Sequence, residues 1–124
     1  MRRPARAALP LLLVLGLLAA LPLPARAHAI LLDSQPSDGR TVPAGPVVFR
    51  LHFNSRIDAV RSRLLLVRPG KSETVLPFTA SAPDVLNART DLTAGTYTLR
   101  WQVLAIDGHI TRGDVRFTVA PNGR

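Results

Sequence analysis

Between residue 29 and the C-terminus, apolar and polar positions alternate in short runs with a period of two, which places successive side chains on opposite faces of a strand. Val47, Phe49, Leu51 and Phe53 fall on one face, and Val48, Arg50 and His52 on the other. The longest run is Thr96–Ile106, where Tyr97, Leu99, Trp101, Val103 and Ala105 share a face. Val115, Phe117 and Val119 repeat the pattern near the end, and shorter β-rich runs occupy Ala29–Leu32, Arg63–Val67, Thr74–Phe78 and Val85–Thr90. Pro, Gly, Asp and Asn separate the runs, and no segment carries apolar residues at helical spacing with caps. The pattern predicts an all-β chain of about seven strands, a Greek-key antiparallel β-sandwich.

One local motif sharpens this reading. In Leu92-Thr93-Ala94-Gly95-Thr96-Tyr97, a glycine stands two residues before a tyrosine at a strand entry. That arrangement fits a tyrosine corner, whose phenol bonds back to upstream backbone at a crossover between sheets. Tyr97 is therefore read as a fold residue, and Trp101, on the same face, as a core anchor.

The alternation is absent from the first 27 residues, which carry the parts of a secretory signal. Arg2, Arg3 and Arg6 precede an apolar run of 11 residues, Leu11 to Leu21, and Ala25-Arg26-Ala27 supplies the small-x-small cleavage pattern. An uncleaved anchor needs roughly 18–20 unbroken apolar residues, and Pro10, Pro22 and Pro24 interrupt this one. Cleavage after Ala27 is expected, giving a signal peptide over 1–27 and a single exported domain over 28–124 that begins with His28.

Processing changes the composition. The signal removes four of the 16 basic residues, leaving 12 against 8 acids and lowering the net charge from +8 to +4. The remaining cations are scattered, with Arg61 and Arg63 the only close cluster, so no nucleic-acid surface is expected. There is no cysteine, and the one methionine is Met1. The processed domain has no sulfur: it contains neither disulfides nor thiolate or thioether ligands, and its stability must come from packing and strand pairing.

The groups left to carry chemistry are the 3 histidines, His28, His52 and His109, and the 8 acids. Asp107-Gly108-His109 follows the longest strand, where the chain must turn. An acid and a histidine two residues apart around glycine can point the same way, although Asp-Gly is also a common turn and D-G-H by itself is a weak signal. The expected cleavage adds weight to it. A processed His28 offers its α-amine and imidazole Nδ1 as one chelate; His109 adds a second imidazole and Asp107 a carboxylate. Three nitrogens and one oxygen, with no sulfur, suit tetragonal Cu(II), and zinc gains less from a planar chelate. His52 lies on the polar face of its strand. The plain reading is a sheet-surface histidine; the sharper one is a supporting partner or an auxiliary copper ligand.

The stretches "HAILLDSQPSDGRTV", "VVFRLHFNSRI" and "GTYTLRWQVLAIDGHITRGDVRFTV" resemble the CopC family of periplasmic copper-binding proteins over nearly the whole processed chain. The resemblance implies a cupredoxin-like (immunoglobulin-like) β-sandwich that binds Cu(II) through His28, Asp107 and His109. It also implies a periplasmic location and a CopD-like inner-membrane permease as partner. The chain departs from the family in two places. With no methionine after Met1, a methionine-rich Cu(I) site is not expected, and Ser55 in Phe53-Asn54-Ser55-Arg56 stands where the family pattern carries an acid.

The expected function is a monomeric Cu(II) carrier or buffer without enzymatic activity. Two other classes fit parts of the pattern. A copper-brace oxidative enzyme also uses an N-terminal histidine, but it needs a broad aromatic-rich substrate face and an open copper position that Asp107 would fill; aromatics here are 5% of the chain. A β-sandwich without metal would require D-G-H and the cleavage site to coincide by chance.

Overall fold

The structure, a computed structural model, describes residues 28–122; the expected signal peptide over 1–27, with its cleavage site, lies outside the described residues. Among the described residues, nine strands follow in order: β1 (Leu31–Gln35), β2 (Arg40–Pro43), β3 (Gly45–Phe53), β4 (Ile57–Val67), β5 (Glu73–Val75), β6 (Thr79–Ala82), β7 (Val85–Leu92), β8 (Gly95–Ala105) and β9 (Ile110–Ala120). They form a four-stranded sheet, β1-β3-β7-β6, and a five-stranded sheet, β2-β9-β8-β4-β5. The fold is the all-β sandwich that the alternation predicts, and the long runs lie as expected. Val47, Phe49, Leu51 and Phe53 of β3 face the core, as do alternate residues of β8 from Tyr97 to Ala105 and Val115, Phe117 and Val119 of β9.

The strand count exceeds the expected seven for two reasons. β2 is polar and ends in Pro43, so it gives little sequence signal. It pairs with β9 in parallel, an exception to the antiparallel rule, because the preceding turn is latched to that strand: Asp38 Oδ1 accepts the Arg116 N–H at 2.9 Å, and the Gly39 N–H donates to the Arg116 carbonyl at 2.6 Å. The second reason is that the expected strand Thr74–Phe78 ends at Val75 and a further strand, β6, begins at Thr79. β5 pairs with β4 and β6 with β7, so the chain changes sheet across Leu76-Pro77-Phe78, where Pro77 has no N–H to offer a ladder. β4 is longer than its apolar run, and an irregularity between Asp58 and Arg63 interrupts its register. Ser62 spans that irregularity: its hydroxyl donates to the Asp58 carbonyl (2.7 Å) and accepts the Leu104 N–H (3.0 Å).

Aromatic rings lock the two sheets together. Phe49 meets Phe117 edge-on with centroids 5.5 Å apart, Tyr97 stacks on Phe117 at 5.6 Å, and Phe53 meets Trp101 edge-on at 5.2 Å. The tyrosine corner is formed, with the Tyr97 hydroxyl donating to the Thr93 carbonyl at 2.8 Å. Trp101 lies against the bare backbone of Gly113, its register partner on β9, and a Cβ there would overlap the indole ring. Interiors this closely packed tolerate added volume poorly. Gly113→Ala should therefore destabilise the domain by about 1–3 kcal/mol, read as a lower urea midpoint with an unchanged slope.

Candidate metal centre

The Asp107–His109 segment is the turn between β8 and β9, the longest hairpin in the fold. The Gly108 N–H donates to the Ala105 carbonyl and the Ala105 N–H to the His109 carbonyl, both at 2.8 Å, closing the turn. Gly108 sits at φ 94°, a backbone conformation that side-chain-bearing residues rarely adopt, which is why the turn carries glycine there. This geometry folds Asp107 back onto His109. Its Oδ2 accepts the His109 Nδ1–H at 2.8 Å, and its Oδ1 accepts the His109 backbone N–H at 3.2 Å.

These contacts set the electrostatics. The Asp107 carboxyl is held below its ordinary value, first by the His109 ring hydrogen bond, against an opposing effect of burial, and then by the His109 backbone N–H. With Nδ1 engaged, His109 has Nε2 free as a donor to an ion. A histidine oriented by a carboxylate in this way is a recurrent element of metal sites.

His28 reaches the same place from the other end of the domain. Its ring meets that of His109 edge-on, with centroids 4.7 Å apart. The neighbouring residues hold it there: Ala29 is fully buried in the core, and Ile30 forms two hydrogen bonds with Asn54, the residue after β3. The Ile30 N–H donates to Asn54 Oδ1 at 2.7 Å, and the Asn54 N–H donates to the Ile30 carbonyl at 3.0 Å. Thus His28 and His109 come together, with Asp107 attached to His109. Among the described residues, no three His, Asp or Glu side chains are disposed to hold a metal ion as they stand. Both Asp107 oxygens face His109, but a carboxylate has about four acceptor positions and so retains room for another partner.

His52 is engaged elsewhere. On the outer face of the four-stranded sheet, its Nδ1 lies 2.9 Å from Asp33 Oδ2 on β1 and its Nε2 3.4 Å from Asp84 Oδ2 in the turn before β7. Arg50 Nη1 lies 3.6 Å from the other Asp33 oxygen. With a carboxylate at each ring nitrogen, His52 links β1 to the turn before β7, and neither nitrogen is directed at the His28–His109 pair. The Ser55 hydroxyl is buried, with no hydrogen-bond partner among the described residues.

Comparison with known proteins adds lineage to this geometry. The CopC domain family model matches residues 31–120. The chain belongs to the CopC domain family. It is 31% identical to Protein YobA of Escherichia coli (strain K12) over 99 residues, covering 75% of this chain and 79% of that protein. It is 30% identical to Copper resistance protein C of Pseudomonas syringae pv. tomato over 105 residues, covering 77% and 82% respectively. Among solved structures, CopC from Methylosinus trichosporium OB3b aligns with a TM-score of 0.70 at 28% identity, covering 78% of this chain and 98% of that one. PcoC from Escherichia coli, described as a methionine-rich copper resistance protein, aligns at 0.62 with 25% identity, covering 76% and 100%. The CopC match includes Asp107 and His109 and begins just after His28.

Sequence reasoning missed Asn54, since an asparagine after a strand reads as a turn residue, and nothing in its type signals a partner on the N-terminal segment. It also missed the two carboxylates around His52, whose positions depend on strand register.

The His52 environment has a measurable consequence. Its pKa is raised above 6.5, first by the Asp33 hydrogen bond, against the opposing effect of burial, with the charges of Asp33 and Asp84 adding to the rise. A raised folded-state value means the bridge stabilises the fold fully below the unfolded value of about 6.5 and loses that contribution as pH climbs through the folded value. An NMR titration should find His52 titrating above 6.5, and Asp33→Asn should move it down and flatten the fall in stability above that pH.

Proposed function

We propose that this protein is a periplasmic Cu(II) carrier or buffer. It is exported by a signal cleaved after Ala27, acts as a monomer, and sequesters copper or passes it to a CopD-like inner-membrane permease. Copper is its cargo, and the reading is one of binding rather than catalysis. The observation that carries it is the His28–His109 ring contact at 4.7 Å, made by residues far apart in the sequence. Its relative in Pseudomonas syringae, named copper resistance protein C, supports the same assignment.

In this reading the α-amine and Nδ1 of His28 form one chelate, His109 adds a second imidazole nitrogen, and Asp107 gives up its hydrogen bond to His109 Nδ1 to supply a carboxylate oxygen to the ion. The donor set is hard to borderline, which favours Cu(II). The chain has a single methionine, Met1, in contrast to the methionine-rich description of PcoC. Without thioether or thiolate donors the site would hold Cu(I) poorly, so one-electron reduction of the bound ion by an external reductant would favour its release.

Both His28→Ala and a one-residue extension before His28 remove the amine chelate. Each should weaken Cu(II) binding by more than the roughly 10–100-fold that loss of an orienting partner costs, as measured by competition with a chromogenic chelator. Native-like titration of the extended protein would refute the amine ligand. Affinity should also fall between about pH 7.5 and pH 5, because copper must displace protons from the ligand nitrogens. Asp107, held below its ordinary value, stays ionised across that window, so the loss reports on the nitrogens.

A further inference from the structure

We infer that Asn54 is a positioning residue for copper: its side-chain amide holds the N-terminal segment so that His28 is already directed at His109 before the ion arrives. The inference rests on the copper reading above and adds to it the device that orders the chelate.

A chain terminus ordinarily frays, because nothing offsets the entropy of fixing it. Here the β1–β3 ladder begins at Leu31, opposite Phe53. Ile30 lies one residue beyond that ladder and is 57% exposed, so packing holds it weakly. Asn54 lies one residue beyond the same ladder on the other side. Its backbone N–H donates to the Ile30 carbonyl, and its side-chain Oδ1 accepts the Ile30 N–H, standing in for a partner-strand carbonyl. The pairing is thereby carried one residue further towards the terminus. Beyond the clamp, Ala29 is fully buried in the core and His28 is exposed. Plug and clamp together leave His28 few directions to point, and the one adopted puts its ring against His109.

Binding to a preorganised chelate avoids a population cost. If the terminus is directed at His109 only part of the time, apparent affinity falls by that fraction. Removing Oδ1 leaves the Asn54 N–H bond and the Ala29 plug in place. The expected loss is therefore partial, about 3- to 10-fold, and it should appear mainly as faster release.

The test uses processed protein whose first residue is confirmed as His28 by mass spectrometry. In copper-free Asn54→Ala, the Ile30 amide should lose protection from hydrogen exchange and the 15N relaxation of His28–Ile30 should report greater motion, with the urea midpoint little changed. Its Cu(II) dissociation rate should rise about 3- to 10-fold, while the EPR spectrum at saturation keeps the native nitrogen pattern. Asn54→Asp keeps an acceptor at Oδ1 and should restore Ile30 protection and slow release. Native Ile30 protection and a native release rate in Asn54→Ala would overturn the inference. An unchanged Cu(II) spectrum in His28→Ala would instead overturn the copper reading, and the positioning role with it; the two failures are told apart by which variant behaves as wild type.

Discussion

The interlocking of rings between the two sheets is the contact on which the rest of this structure depends. Phe49 from one sheet is set edge-on to Phe117 of the other, which stacks on Tyr97, while Phe53 meets Trp101 across the same interface. Buried aromatic pairs contribute both area and preferred geometry, and a domain without cysteine has no covalent link to take their place. The rings also fix the mutual position of β3 and β8. The segments leaving those two strands at one end of the sandwich carry Asn54 and the Asp107–His109 turn.

That end of the molecule shows how a rigid β frame can hold a segment that lies outside its ladders. The β8–β9 hairpin is held by its ladder, so the Gly108 turn presents His109 at a defined place with Asp107 bound to its ring. Among the described residues, the N-terminal segment has no such ladder beyond Leu31. It is held instead by one small buried side chain, Ala29, and by one asparagine. Strong elements thus carry one half of the histidine pair, and a light local clamp carries the other.

Much of the fold was legible because alternation is a local property. The inward faces of β3, β8 and β9 follow directly from it, and so does the tyrosine corner. What the pattern hid was pairing between distant backbones. β2 exists because Asp38 and Gly39 bind Arg116, and the split between β5 and β6 exists because Pro77 sits where the chain changes sheet. His52 read correctly as a polar-face residue, yet Asp33 and Asp84 could not be named as its neighbours without strand register.

The amino-acid sequence by itself determined which residues have the chemistry: three histidines, no sulfur after Met1, and an acid two positions before His109. Residue type is enough to decide donor softness and charge. Only the tertiary structure decided which of those histidines meet. His28 and His109 come together, while His52 faces outward between two carboxylates. The physical reason is that ligand type is carried by single residues, whereas proximity is set by register, burial and backbone hydrogen bonds contributed by residues such as Ala29 and Asn54, whose own chemistry announces nothing.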